Sequence, residues 1–204
     1  MSNLTPLLSV YNLSYQTPDR RPLVSDLNFS IKPGDLLAVT GANGVGKSTL
    51  LQVIIGNMQP TTGSIKVQTK ALSFLSQLHN REFHIPLTIQ DVISFSNQNC
   101  VGTQSAVDIG LLEPHELTLA WNSASGGERQ KALLTQALLT DAELLILDEP
   151  MNHLDSSTRK KLMVLLANLA DSKKKGVLIV CHEQILQDTL MPSTQTLDLS
   201  RYNH

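Results

Sequence analysis

The nine residues from Gly41 to Thr49, GANGVGKST, carry the clearest chemistry in the chain. Gly41, Ala42, Asn43, Gly44, Val45, Gly46, Lys47 and Ser48 fit GxxxxGK[ST] without deviation, and Thr49 follows. Small residues let successive backbone N–H groups converge on phosphate oxygens, and the start of the next helix adds positive potential. Lys47 can then reach β and γ phosphates, and the Ser48 hydroxyl can ligate Mg²⁺. The pattern lies between a buried-type strand, DLLAVTG, and a helix expected from Lys47 to about Ile55, so a nucleotide is the expected ligand.

Further groups stand where strands end. In LLILDEP, Leu144 to Pro150, Asp148 can hold Mg²⁺ through water, and Glu149, one residue on, can polarise an attacking water. Gln77 closes ALSFLSQ, where its amide can touch the metal and the water. His182 closes GVLIVC, where an imidazole can contact the γ phosphate. A polar residue at the end of an apolar strand is more often plain structure; a common sheet edge is what would gather these into one site. A Gly pair in the helix-favouring run from Asn122 to Leu139, NSASGGERQKALLTQALL, looks like another phosphate-binding turn, although one is already present.

The elements needed to hold these groups follow from periodicity. LLSVYNLSY and LNFSIKP alternate about the turn TPDRRP and suggest antiparallel strands. PTTGSIKV and ALSFLSQ read as further strands. From Leu78 to about Ser123 the chain turns polar and Pro-interrupted, with IPLTIQDVISF its most amphipathic part. Then helix, strand and helix alternate through GERQKALLTQALL, ELLILD, STRKKLMVLLANLAD, GVLIVC and EQILQDTL to a strand-like tail, TQTLDL. Such alternation argues for a mostly parallel sheet between helices.

Composition narrows the classes. A chain of 204 residues suits one α/β domain with a small inserted lobe. Its 16 basic and 18 acidic residues leave a net charge of -2, so no direct nucleic-acid partner is expected. Cys100 and Cys181 lack metal-ligand spacing and point to a reducing compartment. Met1 to Val10 has neither the basic start nor the apolar stretch of a secretory leader, and no apolar run approaches the roughly 20 residues of a membrane crossing.

In order along the chain, these motifs resemble the ATP-binding cassette ATPase family: Walker A at Gly41 to Thr49, the Q-loop at Gln77, and the signature at Ser125, Gly126, Gly127 and Glu128. Walker B ends at Glu149, the D-loop is Asn152-His153-Leu154-Asp155, and the H-loop is His182. The resemblance implies a P-loop NTPase of that type, with an N-terminal antiparallel β subdomain, a core over about 1–77 and 126–204, and a helical lobe over about 78–125. It implies ATP hydrolysis with Glu149, His182 and Gln77 at the reacting phosphate, and Ser48, Gln77 and Asp148 around Mg²⁺. It also implies two copies head to tail, the signature of one closing on ATP held by the other, with Asp155 at that nucleotide. The second Gly turn is thereby explained: Gly126 and Gly127 permit close backbone approach and Ser125 offers a hydroxyl. The adenine-stacking position falls by spacing on Thr17 or Pro18, and Tyr15, the nearest aromatic, is assigned the stacking role.

Departures are Ala124 where Leu is usual, expected to loosen packing behind the turn, Glu128 for Gln, and Met151 for a small or hydroxyl residue. QLHNREFHIPLTIQDVI and SGGERQKALLTQALL resemble zinc and manganese importer ATPases, in which this lobe receives a helix of a membrane permease. Leu78 to Val92 is then the expected permease contact, the location the cytoplasmic face of the cell membrane, and the cargo a metal ion. NHLD resembles instead a soluble, translation-associated branch, and the ATPase of another small exporter is a further alternative.

Overall fold

The computed structural model describes residues 4–76, 83–95, 103–184 and 194–202. Strands β1 (Leu8–Gln16) and β2 (Pro22–Ile31) form an antiparallel pair, turning where the Thr17 N–H donates to the Arg21 carbonyl and Arg20 takes φ +63°. Strand β3 (Leu36–Thr40) runs through the phosphate-loop sequence into helix α1 (Lys47–Ile54). Strand β4 (Thr62–Val67) returns to β1, completing a three-stranded antiparallel sheet in the order β2-β1-β4.

Strand β5 (Leu72–Leu75) enters the second sheet. The lobe contributes α2 (Ile89–Ser94) and α3 (Thr103–Ile109), after which α4 (Gly126–Leu138), β6 (Leu144–Asp148), α5 (Ser156–Lys173), β7 (Gly176–Val180) and β8 (Thr194–Asp198) alternate. The second sheet is parallel throughout its described pairings, in the order β5-β6-β7-β3-β8. The mostly parallel sheet, its helices and the antiparallel subdomain are therefore present. The expected helix EQILQDTL lies almost wholly outside the described residues.

Every residue of β3, β6 and β7 is buried, because the sheet is covered on both faces. The two-residue period of a strand separates the core into two sides. Leu37, Val39, Leu144, Ile146, Leu178 and Val180 pack toward α1 and the antiparallel sheet. Their neighbours Leu36, Ala38, Leu145, Leu147, Val177 and Ile179 pack with residues of α4 and α5.

The lobe has its own core of Ile89, Val92, Ile93, Ala106, Leu112, Leu117 and Trp121, into which α4 inserts Ala132. Thr88 starts α2 by accepting from the Asp91 N–H while the Asp91 carboxylate accepts from the Thr88 N–H, a reciprocal cap that satisfies two otherwise orphaned donors. Trp121 lies edge-on to Phe83, and the Arg129 guanidinium sits 5.8 Å from the Trp121 ring centre while its Nε donates to the Trp121 carbonyl. An ion pair between Lys131 and the buried Glu116 adds a second tie from the lobe to α4. Ala124 is buried in this cluster and its N–H donates to the Ala120 carbonyl. Replacing the fully enclosed indole removes packing from both the lobe and α4: in urea unfolding, Trp121→Ala is expected to lower stability by about 3–5 kcal/mol, and an unchanged midpoint would contradict this account of the lobe core.

Candidate functional site

Because β6, β7 and β3 are parallel and pair Asp148 with Val180 and Val180 with Val39, their carboxyl ends form one edge. Phosphate loop, acidic pair and histidine all leave the sheet there, which is where open α/β sheets hold ligands.

The loop's course depends on left-handed backbone at Gly41 (φ +138°), Gly44 (φ +79°) and Gly46 (φ +107°). A Cβ at Gly46 would stand 3.1 Å from Cε2 of Tyr15 and 3.2 Å from Cβ of Leu23, whereas one at Gly44 would meet open space. The buried Lys47 folds back over the loop, its Nζ donating to the carbonyls of Gly41 at 2.9 Å and Ala42 at 3.1 Å. Ser48 Oγ lies 3.4 Å from Asp148 Oδ1. Burial pushes the Asp148 carboxyl above the ordinary carboxylate range, the Ser48 hydrogen bond and Lys47 opposing that rise and Glu149 adding to it.

Glu149 takes φ +49°, a conformation costing a non-glycine residue of order 1–3 kcal/mol. Its N–H donates to the Val180 carbonyl at 3.0 Å, which anchors the turn to β7. Oε1 lies 3.5 Å from His182 Nε2, and Oε2 accepts from Asn152 Nδ2 at 2.6 Å. Thr17, Leu23, Asn43, Gly44, Gly46, Lys47, Ser48, Thr49 and Glu149 line a cavity of about 340 Å³. A second hollow of about 410 Å³ flanks the loop, bounded by Gly41, Ala42, Asn43, His182, Asp198 and Ser200 among others. Val45 is buried in the core beneath the loop rather than lining either hollow. Gln77 lies outside the described residues.

One expected ligand contact is corrected, and a second residue has a local role of its own. Tyr15 is 1% exposed, and its hydroxyl donates to the Gly46 carbonyl at 3.1 Å. Its ring offers no face to a base and instead props the phosphate loop from below. Burial pushes its phenol above the ordinary range, and Thr17 and Leu23 line the cavity where an aromatic was expected. Asp155 is the N-cap of α5: its carboxylate accepts from the N–H groups of Ser157 and Thr158, and hydrogen bonds from both residues hold it well below the usual carboxylate range. It borders neither hollow.

The signature segment is also apart from both hollows. Helix α4 begins at Gly126 with Ser125 as its N-cap. Ser125 Oγ accepts from the Glu128 N–H at 3.3 Å, and Glu128 Oε2 accepts from the Ser125 N–H at 2.6 Å. That bond holds the Glu128 carboxyl low. A Cβ on Gly127 would stand 2.9 Å from the His153 carbonyl oxygen, so this turn packs against its own D-loop. Met151, buried in the core, anchors that loop, and its carbonyl accepts from Arg159 Nε at 3.2 Å. The reciprocal caps at Ser125 and Thr88 and the fixing of Glu149 by Asn152 lie beyond the sequence expectations; Ser-x-x-Glu and Thr-x-x-Asp ahead of helical runs are the available signals for the first two.

A nucleotide-binding edge of this build, on this fold, defines an ATP-hydrolysing cassette. The chain belongs to the ABC transporter family, which residues 24–152 match, and it is an ATPase. It is 32% identical over 186 residues to the zinc import ATP-binding protein ZnuC of Psychrobacter arcticus, covering 90% of this chain and 76% of that protein. It is 30% identical over 208 residues to the molybdate import ATP-binding protein MolC of Haemophilus influenzae, covering 96% and 80%. Among solved structures, a transporter assigned to the metal-chelate ABC type, in an inward-facing conformation, superposes with a TM-score of 0.78 at 29% identity over 96% of this chain and 80% of that one. A dimeric bacterial ABC transporter cassette gives 0.74 at 23% identity over 94% of both.

The raised Asp148 value makes stability depend on pH. The folded chain holds that proton to higher pH than the unfolded chain, so Asp148 contributes most below the ordinary carboxylate range and that contribution is lost as pH rises through the folded value. Without nucleotide or divalent cation, Asp148→Asn is therefore expected to gain thermal stability relative to the parent as pH rises from about 4 to about 7. Parallel melting-temperature profiles would contradict this.

Proposed function

We propose that this ATPase closes on a second copy of itself, with ATP and Mg²⁺ between the copies, and so drives a membrane-embedded permease that imports a metal ion such as zinc or manganese. The observation that carries the two-copy reading is the separation within one chain of two phosphate-suited turns. Ser125 and Gly126 lie exposed at the start of the 13-residue α4, yet border neither hollow at the phosphate loop. A second copy related by a two-fold axis would supply its α4 start to this loop and receive the same in return.

In this reading the loop from Gly41 to Thr49 cradles the phosphates and Lys47 exchanges its carbonyl partners for phosphate oxygens. Glu149 polarises the attacking water, with His182 orienting it from the neighbouring strand end. The hydroxyl of Ser48 and the carboxylate of Asp148 are hard oxygen donors of the kind Mg²⁺ takes, and with Gln77 they would hold it. When bound, that ion neutralises charge developing on the phosphates. Asp155 comes near the nucleotide only through the partner copy, as part of the loop that its cap on α5 shapes.

The segment from Leu78 to Val92 is the proposed permease contact, and the proposed location is the cytoplasmic face of the membrane; residues 78–82 lie outside the described residues, and Ile85 is 60% exposed. Similarity to ZnuC supports the metal-ion cargo. Similarity to MolC favours a second reading, import of an oxyanion such as molybdate.

Lys47→Ala is expected to abolish ATP binding in calorimetry, whereas Glu149→Gln keeps binding and loses turnover by about 100-fold or more. Equal ATPase rates in Glu149→Gln and the parent would remove the assignment of the base. The Glu149→Gln protein should become a dimer by light scattering at saturating ATP. Captured from detergent-solubilised native membranes, it should carry a stoichiometric polytopic membrane protein; ribosomes or only soluble proteins would overturn the transport reading.

A further inference from the structure

We propose that Asn152 is a positioning residue for hydrolysis, its side-chain amide fixing the carboxylate of Glu149. This rests on Glu149 acting on the attacking water. Glu149 lines the same cavity as Lys47 and Ser48. Its backbone is set by φ +49° and by the N–H bond to Val180, but those leave the side-chain torsions undetermined. Asn152 constrains them: Nδ2 donates to Oε2 at 2.6 Å, while His182 Nε2 stands 3.5 Å from Oε1. One oxygen is thus tied to a rigid neutral donor and the other is directed to the histidine.

Asn152 can do this because its own place is fixed. Its N–H donates to the Glu149 carbonyl at 3.2 Å, closing a turn that brings the two side chains to the same side. On either side of it, Pro150 accepts from the buried Gln130 Nε2 at 2.9 Å, Met151 is sunk in the core, and Leu154 is buried. Gln130 belongs to α4, so the helix behind the signature turn helps to hold the loop that aims the carboxylate. A neutral amide is the right group here, because it stabilises the ionised carboxylate by a charge-assisted bond and brings no proton of its own to exchange.

The test is steady-state ATPase kinetics on the full chain with Asn152→Ala, Asn152→Asp and, alongside, Glu149→Gln. Removing the donor leaves phosphate binding intact but lets the carboxylate swing, so Asn152→Ala lowers kcat by about 10- to 100-fold with KM for ATP within about twofold. Asn152→Asp keeps the size and the turn preference but sets a second carboxylate against Glu149, so it loses at least as much kcat. If Asn152 served only to form the turn, Asp would serve as well. Parent-like kcat in Asn152→Asp, or a loss in Asn152→Ala expressed in KM instead of kcat, overturns the proposal. Should Asn152→Ala fail to fold, the isosteric Asp variant decides. Loss of turnover in Glu149→Gln with unaffected Asn152 variants would sink only the positioning role, while parent turnover in Glu149→Gln would remove the reading beneath it.

Discussion

The phosphate edge depends on three strands covered on both faces. With β3, β6 and β7 wholly buried, register is not free to slip: a shift of one residue would exchange the sides of the sheet and send residues shaped for α1 against α5. That constraint aligns Val39, Asp148 and Val180 in one row. The loop, the acidic pair and His182 then leave from neighbouring points without any direct bond being needed to gather them. Chemistry at the edge is precise because the core beneath it is intolerant.

Much of this is legible in the sequence, for identifiable reasons. DLLAVTG, LLILD and GVLIV are uniformly apolar because both of their faces are covered, and the Gly-rich loop follows the first without a break. Less legible is which way a side chain faces. Tyr15 falls on the buried side two residues after Leu13, which is also fully buried, so the two-residue period places it inside; the irregular register between Val10 and Tyr15 obscures that alternation. Asp155 immediately precedes a helical run, the position where a carboxylate caps free N–H groups. Family position suggests ligand contacts for both; burial takes Tyr15 away from that role, and the cap on α5 gives Asp155 a structural one besides. The tie between Asn152 and Glu149 cannot be read from spacing, since it requires Glu149 to adopt a left-handed backbone conformation that no neighbouring residue announces.

Local hydrogen bonding also changes what the signature turn can be. Ser125 and Glu128 satisfy one another across the first turn of α4, so the sequence difference at the fourth position has a structural use within the single chain. The exposed start of α4 retains the electrostatic character of a helix N-terminus, while its route is fixed from behind by Trp121, Asn122 and Gln130. Lobe, signature and D-loop thus behave as one packed unit carried by α4. Any displacement of the lobe must be transmitted through that helix or absorbed by breaking buried contacts.

Lys47 brings the same self-sufficiency to the phosphate loop. With its ammonium resting on the carbonyls of Gly41 and Ala42, the loop carries an internal donor for two of its own oxygens. A phosphate that draws this ammonium to itself must replace two charge-assisted bonds within the loop. Affinity set in this way is governed by competition between carbonyl and phosphate for one ammonium.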